Sequence, residues 1–197
     1  MGGLARHLER EGLNVRCWDY ASRKRTMSQL ADDLVEYVES VSEEAGLWAV
    51  SHSLGGILVR LTVERINWRG VVMLAPPNQG SAVARWCQDR FWYKRLFGPA
   101  GQAMAEPSHW PSPPQPCGVI AGKGGISISN PASIIARKVM PQSDQYLCDG
   151  TLTVDETRCI GVEDHVTIEA SHTWIMNHPE TKRLVCHYIT QGCFPSS

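Results

Sequence analysis

The sequence predicts an α/β fold: a mostly parallel sheet with helices on both faces. Two observations carry this. Short apolar runs alternate with helical patterns along the chain, the order that builds parallel strands joined by crossover helices. One junction, Val50-Ser51-His52-Ser53-Leu54-Gly55-Gly56, sets a serine between small residues where a strand pattern gives way to a helical one.

The elements follow in order. Residues 3–11 have helical spacing and stop at Gly12, and residues 13–20 read as a strand. Thr26-Met27-Ser28-Gln29 is a capping-box pattern opening a helix through Val41, with Leu30, Leu34, Tyr37, Val38 and Val41 on its buried side. Residues 46–50 form a short apolar strand, and residues 57–66 a helix carrying Ile57, Leu58, Leu61 and Ile66 on one face. Further strands are predicted at 70–75, 118–122 and 166–170. The last helix starts near Asn177 or His178, holds Pro179 in its first turn and ends by Gly192.

Composition narrows the function classes. A chain of 197 residues, 43% of them hydrophobic and 20% charged, suits one domain with one sizeable core. The net charge is −1 and the basic residues are scattered, apart from Arg23-Lys24-Arg25, so no nucleic-acid footprint is expected. No apolar run reaches the roughly 18 residues that span a bilayer, and residues 1–11 are too polar for a secretory signal. Seven cysteines without a Cys-x-x-Cys pair argue against a disulfide framework and a zinc ribbon, and point to reduced thiols in a cytoplasmic protein. The histidines show no metal-ligand spacing, so neither a metal nor another cofactor is expected. Gly122-Lys123-Gly124-Gly125 lacks the Ser or Thr and the upstream glycine of a phosphate loop.

The chemistry centres on Ser53. A serine on a strained strand-to-helix turn presents its hydroxyl, provided that its neighbours are small enough for strand and helix to approach. Ser51 stands where the commonest form of this turn has glycine. Attack by a serine needs a histidine base, and the histidine needs a carboxylate to hold its tautomer. Asp149, beside Gly150 in a polar turn, and His172, directly after the strand 166–170, follow Ser53 in the order Ser, Asp, His. Asp155 is the rival acid. The N–H of Leu54, the first residue after the nucleophile, is the nameable oxyanion donor. His52 is expected to pack or hydrogen-bond with its ring turned away from the Ser53 hydroxyl; His7, His109, His165, His178 and His187 read as surface or helix residues.

Five ordered motifs, Asp19-Tyr20, residues 51–56, Met73-Leu74-Ala75-Pro76-Pro77-Asn78-Gln79-Gly80-Ser81, residues 149–154 and residues 171–179, resemble the lipase and esterase branch of the α/β-hydrolase superfamily, the bacterial triacylglycerol-lipase-like hydrolases. The resemblance implies a serine esterase acting on a small apolar ester through Ser53, Asp149 and His172. It implies that residues 81–117, with Trp86, Phe91, Trp92, Tyr93, Phe97 and Trp110 and a proline-rich end, are a short cap-like insertion; amphipathic spacing alone leaves equally open that these rings pack a helix onto the sheet. It also implies that the first strands and a His-Gly loop bearing the second oxyanion donor are lacking, including a strand between residues 13–20 and the elbow strand. On that basis the sequence is expected to start at an internal methionine of a longer protein. A catalytically inactive binding domain, or an acyltransferase using the same triad, are the alternatives to hydrolysis.

Overall fold

A computed structural model of the chain describes residues 1–41, 46–105, 110–125, 131–140, 147–162 and 164–195. His109, expected at the surface or on a helix, lies outside the described residues.

Helix α1, Gly2–Arg10, is followed by α2, Met27–Val41. The capping box forms: the Thr26 N–H donates to Gln29 Oε1 at 3.0 Å and the Gln29 N–H to Thr26 Oγ1 at 3.3 Å. Strand β1, Leu47–His52, runs into α3, Leu54–Leu61, and then β2, Trp68–Leu74. Two helices that periodicity did not resolve, α4, Ala82–Cys87, and α5, Phe91–Gln102, occupy the aromatic segment; α5 is broken at Gly98. Strand β3, Cys117–Gly122, a further helix absent from the sequence-based reading, α6, Pro131–Val139, strand β4, His165–Ile168, and α7, Pro179–Gln191, complete the chain.

Among the described residues, four strands form one sheet in the order β1-β2-β3-β4, every pair parallel. Alternation along β2 and β3 sends successive side chains to opposite faces. Val71, Met73 and Val119 meet Val59 of α3 on one face. Val72, Leu74 and Ile120 face Leu4 and Leu8 of α1 and Leu184, Val185 and Tyr188 of α7 on the other. A further cluster joins Leu30 and Leu34 of α2, Ile57 and Leu58 of α3 and Val83 and Cys87 of α4, so helices cover both faces as expected. Each fully buried Leu, Ile or Val contributes about 1.5–3 kcal/mol relative to exposure.

One expected strand is corrected. Residues 13–20 join no ladder; Trp18 and Tyr20 stack at 4.7 Å and the Tyr37 hydroxyl donates to the Cys17 carbonyl at 3.2 Å. An extended run becomes a strand only where a neighbour takes its N–H and C=O groups. Here residues 13–20 and β1 both line a cavity of about 1100 Å³, and β1 is the edge of the sheet.

Candidate active site

The turn between β1 and α3 places Ser53. Its backbone has φ 52° and ψ −124°, a combination sparsely populated for any residue with a side chain, and worth of order 1–3 kcal/mol of strain. The neighbourhood holds it there. The Ser53 N–H donates to the Leu74 carbonyl at 2.9 Å, tying the turn to the end of β2. A Cβ at Gly56 would lie 3.2 Å from both Met73 Sδ and Pro76 Cβ, so glycine lets α3 start hard against β2 and the loop after it. Ser51 fits in place of the usual glycine, with its hydroxyl buried and without a hydrogen-bond partner among the described residues.

His172 reaches Ser53 from the turn after β4, and Asp149 stands behind it. His172 Nε2 lies 3.1 Å from Ser53 Oγ, and His172 Nδ1 lies 2.7 Å from Asp149 Oδ2. A carboxylate accepts, so Nδ1 carries the proton and the Nε2 lone pair faces the serine hydroxyl. Asp149 is 1% exposed, and its Oδ1 accepts the Thr151 N–H at 2.9 Å and the Leu152 N–H at 2.8 Å. The turn after β4 and the loop bearing Asp149 are also joined through backbone, the His172 N–H donating to the Asp149 carbonyl at 2.8 Å. Asp155 stands elsewhere, exposed and paired with Arg158 at 3.1 Å. Leu54 opens α3, so its N–H is among those at a helix start that have no intrahelical acceptor.

The ring of His52 does not face the serine. It is partly buried, its Nε2–H donates to the His172 carbonyl at 3.0 Å, and the two imidazoles sit 4.9 Å apart. Burial, reinforced by the neighbouring His172, pushes its pKa down to about 3. His165 is a strand residue, not a helix or surface one: it opens β4 with Nε2 2.9 Å from Thr157 Oγ1. His178 caps α7, accepting the Glu180 N–H at 3.2 Å.

Several residues that shape the site were not singled out from the sequence. Glu156 is nearly buried, accepts the Thr153 N–H at 2.9 Å and the Ala82 N–H at 2.5 Å, and meets Arg85 at 3.5 Å. Burial raises its pKa against those partners. It thereby ties the start of α4 to the loop bearing Asp149. Thr153-Val154-Asp155-Glu156 is itself a capping-box pattern, the signal by which it was findable. Arg60 of α3 is buried and its guanidinium donates to Asn78 Oδ1 and to the carbonyls of Pro111 and Trp110, at 2.8, 2.7 and 3.0 Å. That anchors the far end of the aromatic segment on α3, the helix that Ser53 precedes. Gly122, read from the sequence as a strand end and part of a rejected phosphate-loop pattern, also has a packing role: a Cβ there would meet the Ala170 carbonyl and lie 2.8 Å from Asp149 Cβ.

Ser53, Leu54 and His172 open onto the 1100 Å³ cavity, whose apolar wall includes Leu58, Trp92, Tyr93 and Phe97. The aromatic segment thus both packs and lines: Tyr93 is buried in the core, while Trp92 and Phe97 are more than two-fifths exposed.

No protein-family model matches the chain, and no curated protein matches it in sequence. Solved structures do. The lipase BlEst2 of Bacillus licheniformis in its mature form superposes with a TM-score of 0.59 at 15% identity, over 85% of this chain and 73% of the lipase. The propeptide form of the same lipase gives 0.57 at 16%, over 87% of this chain and 41% of that one. The phospholipase PlaB of Legionella pneumophila gives 0.55 at 18%, over 80% of this chain; the chain spans 42% of the phospholipase. With its parallel sheet, its two helical layers and its strained serine turn at the end of β1, the chain has the α/β-hydrolase fold.

Proposed function

We propose that the chain carries the catalytic apparatus of a serine hydrolase that cleaves carboxylic esters, acylglycerols or related lipid esters, through an acyl-enzyme on Ser53. The observation that supports this best is the continuous hydrogen-bonded line from Ser53 Oγ through His172 to Asp149, with Ser53 at a positive φ. Ser53 Oγ attacks the ester carbonyl while its proton passes to His172 Nε2. The tetrahedral oxyanion takes a hydrogen bond from the Leu54 N–H, aided by the positive end of α3. His172 returns the proton to the leaving alcohol, and a water activated by the same nitrogen releases the acid. Asp149 keeps the histidine oriented throughout. Residues 81–117 act as the cap, with Trp92 and Phe97 against the acyl chain.

The cavity is larger than most small-molecule sites, which run to about 1000 Å³. Its stretch along the free edge of β1 takes an added strand, whose adjoining loop supplies a second oxyanion donor. The support for this is the edge of β1, unpaired among the described residues, which lines the same cavity as residues 13–20.

The test of the nucleophile is covalent. A fluorophosphonate probe should label Ser53, and Ser53→Ala should abolish labelling and lower p-nitrophenyl ester turnover by several orders of magnitude in an active form of the protein. Labelling elsewhere, or full turnover in the variant, overturns the assignment.

A further inference from the structure

His172 must cross the sheet to reach its serine. The order β1-β2-β3-β4 puts the nucleophile after one edge strand and the histidine after the other, with β2 and β3 between them. Asp149 and Gly124 fasten the histidine's turn from the far side, through the His172 N–H to the Asp149 carbonyl and the Gly124 N–H to the Ala170 carbonyl. From the serine's side, the hydrogen bonds to this turn among the described residues are those of Ser53 and His52.

We propose that His52 is a positioning residue for His172, clamping its backbone carbonyl and the face of its ring so that Nε2 stays in reach of Ser53 Oγ. The geometry is specific. A carbonyl can only accept, so the 3.0 Å contact fixes the Nε2–H tautomer of His52 and leaves its Nδ1 unprotonated. The ring sits on the last residue of β1, which pairs with Leu74 of β2, so the clamp is mounted on the sheet. Its own position next to Ser53 means that one short rigid piece of backbone holds both the nucleophile and the restraint on its base. The depressed pKa of His52 agrees with this: the ring stays neutral beside a histidine that must become an imidazolium during turnover. A charged neighbour there would oppose the proton transfer.

The inference rests on the hydrolase reading above for its kinetic consequence, and the experiment separates the two. In His52→Gln the side-chain amide N–H reaches about as far as the imidazole Nε2, whereas in His52→Asn it falls short of the carbonyl. Both variants are made in the full chain and compared for p-nitrophenyl butyrate kinetics and for the low-field proton resonance of the His172 Nδ1–H to Asp149 bond. His52→Asn should lower kcat on the order of 10²-fold, the cost of misplacing a catalytic group by about 1 Å, with KM little changed. It should also broaden or shift the low-field resonance, while His52→Gln recovers most of both signals. Equal kcat in wild type and His52→Asn, or a His52→Gln as impaired as His52→Asn, overturns the proposal. If the wild type neither labels nor turns over ester, the hydrolase reading fails; the resonance alone then decides on His52, an unperturbed signal in His52→Asn overturning the clamp.

Discussion

Among single residues, the division between Asp149 and Asp155 shows what the environment adds to a side chain. Both are acids in one short polar stretch, yet one is buried, held by two backbone N–H groups and by the His172 ring, while the other is exposed in an ion pair with Arg158. Asp149→Asn should therefore lower kcat on the order of 10⁴-fold by releasing the histidine tautomer, and Asp155→Asn should leave it close to wild type. Kinetics on the two variants check this, and the opposite ranking would move the acid. His52 gives a second expectation. Its folded pKa lies below the ordinary value of about 6.5, so between about 6.5 and about 3 the unfolded chain binds a proton that the folded chain does not. Its contribution to stability is therefore complete above pH 6.5 and is lost as the pH falls toward 3. His172 and Asp149 face the same ring, so the cleanest comparison is denaturant unfolding of wild type and His52→Gln across this range, the variant losing less stability on acidification. Parallel curves would show that His52 is not held neutral.

The elements that carry the site meet through close backbone approaches. Strand β3 ends at Gly122, where any side chain would strike the Ala170 carbonyl and Asp149. Those two groups belong to the turn that carries His172 and the loop that carries Asp149. Gly122→Ala should accordingly displace both, lowering the melting temperature and reducing ester turnover together, as thermal unfolding and kinetics on the same preparation would show. A variant as stable and as active as wild type would mean that the turn after β4 yields freely. Glu156 and Arg60 act at the same scale: each uses a buried, partnered charge to fix one end of the 81–117 segment, against the loop bearing Asp149 and against α3 respectively. Such groups are costly to bury alone and stable only when hydrogen-bonded, which makes them exact fasteners of one arrangement.

At the scale of the molecule, the edge of β1 matters most. Half of an edge strand's N–H and C=O groups point away from its neighbour, and here they point toward a large cavity. The outward amides of β1 should exchange with deuterium faster than those of β2 and β3, which are paired on both sides. A chain extended at its N-terminus by an apolar strand and a His-Gly type loop should protect them. It should also raise ester turnover roughly 10²- to 10³-fold, the worth of one oxyanion donor. Protected β1 amides and ordinary turnover in the 197-residue chain would show that the edge needs no partner. No described helix is long and apolar enough to cross a membrane.

What the sequence determined by itself is what depends on neighbours in the chain. The capping box at Thr26, the serine among small residues at 51–56 and the Pro179 start and Gly192 stop of the last helix are all local patterns, and the strand and helix periods around them follow from alternating burial. The tertiary structure decided what depends on partners distant in sequence. Residues 13–20 have a strand's pattern but no ladder, because pairing is a property of two segments. Short, broken helices such as α5, interrupted at Gly98, carry too few turns for a clear period. Asp155 stood as a rival to Asp149 on paper, and burial and two backbone N–H groups set the two acids apart. His52 became more than a packed ring only once the sheet order had carried His172 across two strands to its side.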